Sequence, residues 1–285
     1  MEPYMRRRGN AFSIPPWCLL IATVWMASQP IRAAGFQTQQ QQQQQFATPT
    51  PPVPLFFREE WRQTGRFDAS TNFRPQHPVT SQAVTNPNLE MKVYDPGSSR
   101  IAEFAKSPPS NSSAIDWRGP TCVLISGYTQ NPRPERVVAG EPTDPPNLWT
   151  GVCTTPVAVT LRDKDRYVDL TGLAKIRWVT RVSGFHVVRP VIKLADGTWL
   201  VGDYGEGASS SNSTAFLENE FSIGAIRWLA LDITRVVTRG TWVDRPDLSR
   251  VDEVGFADLM PGSGHGWGGF INVGRIEVYG CPVKR

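Results

Sequence analysis

The chain has 285 residues, a formal net charge of +4 and a sequence pI near 9.0. Its 40% hydrophobic content is enough for a packed core and excludes wholesale disorder. Pro and Gly together make up about one residue in six, which argues against an all-helical bundle and for a turn-rich β fold.

Arg6, Arg7 and Arg8 precede an apolar run from Ile14 to Ala27, and small residues follow at Ala33 and Ala34. That is the order of a secretory signal peptide, here residues 1–34. The run is about 14 residues, short of the ~20 that a bilayer-spanning helix needs. No stable membrane span is therefore expected after cleavage; the alternative is an uncleaved N-terminal anchor. Cys18 sits early in the run without small residues before it, unlike a lipoprotein cysteine. Cleavage near Ala34 leaves 26 basic against 25 acidic residues, a net charge of +1. The electrostatic case for a nucleic-acid partner then disappears, and a secreted or periplasmic location is expected.

Residues 35–54 hold a glutamine-rich tract (Gln37 to Gln45) and a Pro/Thr-rich stretch (Ala47 to Pro54). Neither can bury apolar surface, so a disordered linker is expected. The folded domain is expected over residues 55–285. Within it, 95–120 and 128–148 are rich in Pro, Ser and Asn and read as long surface loops. Asn111-Ser-Ser and Asn212-Ser-Thr fit the glycosylation sequon, relevant only in a eukaryotic secretory pathway. Cys122, Cys153 and Cys281 remain after cleavage. One pair can form in an oxidising compartment, but spacing does not select it, and three reduced, buried thiols are the other reading. The spacing is unlike a zinc site.

From Val157 onward the pattern alternates as strands do. Ile176, Trp178 and Thr180 alternate with Arg177, Val179 and Arg181, which places Trp178 in the core. Val188, Ile192 and Leu194 alternate with Arg189 and Lys193. Asp196-Gly197 is a two-residue hairpin signal, with Thr198–Tyr204 as the returning strand. In Arg227–Ile233, Leu229, Leu231 and Ile233 share one face, read as the core side, and Trp228, Ala230 and Asp232 share the other. Val251–Leu259 and Ile271–Tyr279 continue the pattern. Asp169-Leu-Thr and Asp247-Leu-Ser echo each other, each an Asp turn ahead of an apolar strand. Regular strands with turn signals predict an all-β sandwich of jelly-roll type.

Three stretches carry a resemblance: Trp228-Leu-Ala-Leu-Asp-Ile233, Leu248-Ser-Arg-Val-Asp-Glu-Val-Gly-Phe256 and Ile276-Glu-Val-Tyr-Gly280. With the Asp-Leu-Ser/Thr turns, they are similar to the galactose-binding-like jelly rolls, especially carbohydrate-binding modules and the complex-I intermediate-associated domain. The chain also looks like uncharacterised secreted bacterial proteins. The resemblance covers roughly residues 169–280 and implies fold more strongly than function.

Sugars offer apolar C–H faces and many hydroxyls, so flat aromatics beside charged groups hold them. Arg177, Arg181, Arg189, Lys193, Trp228, Asp232, Glu253, Arg275, Glu277 and Tyr279 are expected to converge on one sheet surface, with Trp199 and Asp203 near the hairpin. The loop Pro261–Gly269 presents His265 and Trp267, and resembles neither a P-loop nor a dinucleotide fingerprint. The leading expectation is non-catalytic binding of an extracellular glycan. Trp199, Trp228 and Trp267 would stack, while Arg177, Arg189, Asp203 and His265 would hydrogen-bond. The alternative is a polysaccharide-active hydrolase or lyase using Glu253 and Glu277, since glycoside cleavage needs two carboxyls about 5–9 Å apart. Ion pairing with Arg177, Arg189 and Arg275 is the other reading of those carboxylates. A third expectation is an envelope structural or interaction protein. No cofactor is expected; a structural calcium would draw on Asn88, Glu90 and Asp95.

Overall fold

The computed structural model describes residues 52–64, 76–98, 119–127, 144–207, 215–260 and 269–285. The expected signal peptide, the glutamine tract, both sequons, and His265 and Trp267 lie outside the described residues. The strands, in chain order, are β1 (Leu55–Glu59), β2 (His77–Pro78), β3 (Leu89–Tyr94), β4 (Leu124–Ser126), β5 (Asn147–Trp149) and β6 (Val157–Asp163). Then come β7 (Arg166–Asp169), β8 (Lys175–Gly184), β9 (Val187–Leu194), β10 (Trp199–Gly202), β11 (Glu206–Gly207) and β12 (Leu217–Ser222). The remainder are β13 (Trp228–Asp232), β14 (Val237–Val243), β15 (Val251–Asp258), β16 (Gly269–Tyr279) and β17 (Cys281–Lys284).

These strands form two antiparallel sheets. The first runs β12-β8-β16-β5-β4-β2, with β1 pairing β16 beyond the end of β5. The second runs β14-β13-β10-β9-β15-β6-β3, with β7 on β15, β17 on β7 and β11 on β9. From β5 onward the chain passes repeatedly from one sheet to the other, the jelly-roll way of closing a sandwich. Between the sheets lies a core that includes Trp178, Ile176, Phe256, Ile192 and Val278.

The sequence periodicity accounts for the central strands. In β8, Ile176, Trp178, Thr180 and Val182 point inward and are buried, while Arg177, Val179 and Arg181 are half-exposed. The β9–β10 hairpin turns at Asp196-Gly197, where φ of Gly197 is +91°, a conformation that favours glycine. The two Asp turns close as their side chains dictate: Thr171 N donates to Asp169 Oδ1 at 2.8 Å, and Ser249 N donates to Asp247 Oδ1 at 3.0 Å. They also meet each other, Leu170 N donating to Leu248 O at 2.9 Å. Each turn leads into a strand, β8 in the first sheet and β15 in the second.

Two results differ from the sequence reading, and a third selects among alternatives it left open. Asn147 and Leu148, read as the end of a loop, are strand and fully buried. The faces of β13 are reversed: Trp228 is 2% exposed and packs in the inter-sheet core, whereas Leu229 and Leu231 point outward. The reason is a second apolar cluster on the outer face of the second sheet, formed by Ala158, Val191, Val201, Leu231, Val236 and Ala257. With apolar material on both sides, alternation no longer marks which side is the core. Finally, the disulfide joins Cys122 to Cys153, with Cα atoms 5.0 Å apart, and leaves Cys281 free and exposed.

Candidate functional site

The outer face of the second sheet is organised in rows across the strands. Trp199 of β10 pairs with Lys193 of β9, which pairs with Glu253 of β15. The next row runs Leu229, Val201, Val191, Gly255, Thr160 and Lys92 across β13, β10, β9, β15, β6 and β3. A third holds Arg189, Ala257, Ala158 and Tyr94. At the centre of this surface Val191, Val201, Ala158 and Ala257 are themselves buried. The Tyr94 and Trp199 rings meet edge to face at 5.0 Å.

Glu253 is the polar centre of this face and is 0% exposed. Its Oε1 accepts from Lys92 Nζ at 2.8 Å and Lys193 Nζ at 3.3 Å. Its Oε2 accepts from Thr160 Oγ1 at 2.7 Å and Tyr94 OH at 3.0 Å. Lys193 Nζ lies 5.7 Å from the Trp199 ring centroid, within cation–π range. Asp252, at a bulge of β15, adds ion pairs to Lys193, Arg162 and Arg285.

Burial opposes ionisation of Glu253, but hydrogen bonds from Lys92 and Thr160 and the charges of Lys92 and Lys193 outweigh it, holding the carboxyl below its ordinary range. Burial, then the adjacent Glu253 charge, pushes the Tyr94 phenol well above its usual value, so it stays a donor at neutral pH. Burial acts against the Lys193 charge, yet Glu253 and Asp252 raise it on balance. Because the folded-state carboxyl of Glu253 is depressed, its stabilising contribution is present above the ordinary value of 4.5 and is lost as pH falls through the lower folded value. Unfolding free energy measured against pH is expected to drop on that acid limb, and Glu253→Gln to make the limb shallower. An unchanged acid slope in the variant would contradict this.

The expected single surface is in fact two, because its residues come from both sheets. Arg177, Arg275, Glu277 and Tyr279 lie on the outer face of the first sheet. There Arg177 Nη2 pairs with Glu220 at 2.7 Å and Nη1 with Glu277 at 3.6 Å, while Arg275 holds Glu218 and Glu277. Tyr279 OH donates to Glu277 at 2.7 Å, and Arg58 approaches Glu277 at 3.6 Å. Glu253 and Glu277 therefore stand on opposite outer faces, and no substrate bond can lie between them; the carboxylate-pair expectation is corrected. Trp228 is in the core and offers no stacking surface. Asp203 holds Arg227 through its backbone N at 2.9 Å and Nε at 2.8 Å. Arg189 and Trp199 do share one face, at opposite ends.

Among the proposed calcium donors, Asp95 accepts from Gly97 N, Thr121 Oγ1 and Cys122 N at 2.7–3.0 Å, and Glu90 approaches Arg162 at 3.4 Å. Among the described residues no three His, Cys, Asp or Glu side chains are grouped to hold a metal ion. None of the described helices is long and apolar enough to cross a membrane.

Sequence reasoning missed Lys92, Tyr94 and Thr160. Their signal was present in Leu89–Tyr94, where Lys92 and Tyr94 alternate with apolar Met91 and Val93, and in the apolar run Val157–Leu161 broken by one Thr. It also missed a buried clasp. His186 Nδ1 lies 2.7 Å from Asp258 Oδ2, and Thr150 Oγ1 donates to the same oxygen at 2.8 Å. Ile271 N donates to Thr150 Oγ1 at 3.0 Å. The clasp ties β15 of one sheet to β16 of the other, and both His186 and Asp258 are sealed from solvent.

Fold and site together define an antiparallel jelly-roll sandwich with a polar and aromatic row on one outer face. Two solved structures are similar in architecture, both family 11 carbohydrate-binding modules from Clostridium thermocellum. One is from the cellulosomal cellulase Lic26A-Cel5E, with 17% identity and a TM-score of 0.32, covering 51% of this chain and 80% of that one. The other is in complex with a β-1,3-1,4-mixed-linked tetrasaccharide, with 14% identity and a TM-score of 0.33, covering 74% of this chain and 98% of that one. No family model and no curated protein matches the chain.

Proposed function

We propose that the protein is a secreted or periplasmic, non-catalytic carbohydrate-binding protein whose ligand is an extracellular glycan lying on the outer face of the second sheet, along the row at Trp199. The observation that carries this reading is the row Trp199, Lys193 and Glu253 with Tyr94 against Trp199. A pyranose C–H face packs on an indole, and its hydroxyls meet ammonium and phenol groups placed beside it. Those groups are oriented in advance, because Glu253 fixes Lys92, Lys193 and Tyr94 at once. A disulfide between Cys122 and Cys153 suits an oxidising compartment, as does the leader-like N-terminus.

The test is affinity electrophoresis and a glycan array, with reducing-end release measured in parallel. Retention on at least one polysaccharide without release is expected. Trp199→Ala is expected to weaken that binding by about tenfold, which corresponds to about 1.4 kcal/mol. Absence of any retained glycan, or a Trp199→Ala variant that binds as well as the parent, would overturn the site. Release of reducing ends would overturn the non-catalytic reading.

A further inference from the structure

A second feature lies at the other end of the same face: a cavity of about 280 Å³, at the small end of ligand-pocket sizes. Its walls are chiefly apolar, with Leu229, Leu259 and Met260 around it and Phe185, 86% exposed, on its lining. One charged group, Arg189, enters it.

Arg189 differs from five other arginines of the sheet faces. Arg162, Arg177, Arg181, Arg275 and Arg285 each hold a carboxylate. Among the described residues none pairs with Arg189, which is half-buried and donates only long bonds from Nη1 to the backbone oxygens of Gly202 at 3.4 Å and Asp203 at 3.3 Å. Two neighbouring carboxylates are directed elsewhere. Asp203 holds Arg227, and Asp258, beside the cross-strand partner Ala257, turns inward to His186 and Thr150. A guanidinium partly withdrawn from water with no counter-charge is costly. Its planar fork is also the best side chain for receiving a carboxylate in two parallel hydrogen bonds.

We propose that this cavity binds a small carboxylic acid with an aromatic or branched aliphatic body. The carboxylate lies on the free guanidinium edge of Arg189 and the body lies against Leu229, Leu259 and Met260. This site is separate from the glycan row at Trp199 and does not depend on it.

The experiment is an NMR titration of the whole chain with phenylacetate and 3-methylbutyrate, compared with methyl phenylacetate, which keeps the body and loses the charge. Saturable binding of the acids is expected, with shifts at the β9, β10 and β13 amides around the cavity, and binding of the ester at least tenfold weaker. Arg189→Gln is expected to reduce phenylacetate to the level of the ester, and Arg189→Lys to lose affinity partially. Both variants are checked for an unchanged unfolding midpoint. Trp199→Ala, which tests the glycan row, is expected to leave phenylacetate binding intact. Equal affinity for acid and ester, full affinity in a folded Arg189→Gln variant, or no saturable binding of either acid would overturn the proposal.

Discussion

Asp258→Ala is expected to lower the unfolding free energy by about 3–5 kcal/mol, the cost of breaking a buried, hydrogen-bonded polar pair by removing one partner. The carboxylate accepts from Thr150 Oγ1, His186 Nδ1 and Met260 N, and the first two are buried. Truncation leaves both donors in the interior without an acceptor, and it disconnects β15 from the Thr150–Ile271 link to the other sheet. Urea unfolding measures the loss. Thr150→Val removes one donor and its link to Ile271, so a smaller loss of about 1–2 kcal/mol is expected. The double variant should fall short of the sum, because the two side chains share one bond. A loss below about 1 kcal/mol for Asp258→Ala would show that the clasp is dispensable.

Reduction of the Cys122–Cys153 bridge is expected to have the second large effect. It closes a sequence separation of 31 residues, for which the chain-entropy model gives about 3–4 kcal/mol. The bridge also anchors the segment before β4, where Asp95 receives Thr121 Oγ1 and Cys122 N. Urea midpoints with and without reductant, and for the Cys122→Ala/Cys153→Ala double variant, should fall together. Cys281→Ser, at an exposed position, should leave the midpoint where it was. Equal midpoints in oxidised and reduced protein would contradict the assignment.

Much of this fold was readable wherever one side of a strand faces water. In β8 the alternation of apolar and charged residues is preserved, so the core side follows from the sequence. The Asp turns and the Asp196-Gly197 hairpin were equally legible, because their geometry depends on side chains within the same few residues. Legibility failed in β13, where Leu229 and Leu231 pack outward in a second apolar cluster and Trp228 fills the core. It failed again for Glu253 and Glu277. Nothing local to either carboxylate records that β15 and β16 belong to different sheets. The Glu253 cluster needs partners 60 to 161 residues away in sequence, a separation that no spacing rule reaches.

The double packing of the second sheet has a bearing on how this outer face would meet a ligand. Strands β9 and β15 carry apolar neighbours above and below, so the platform under Trp199, Lys193 and Arg189 is held from both sides. A surface mounted there has little backbone freedom left to surrender when something docks on it. Association would then draw on side-chain contacts without first having to order the strands that present them.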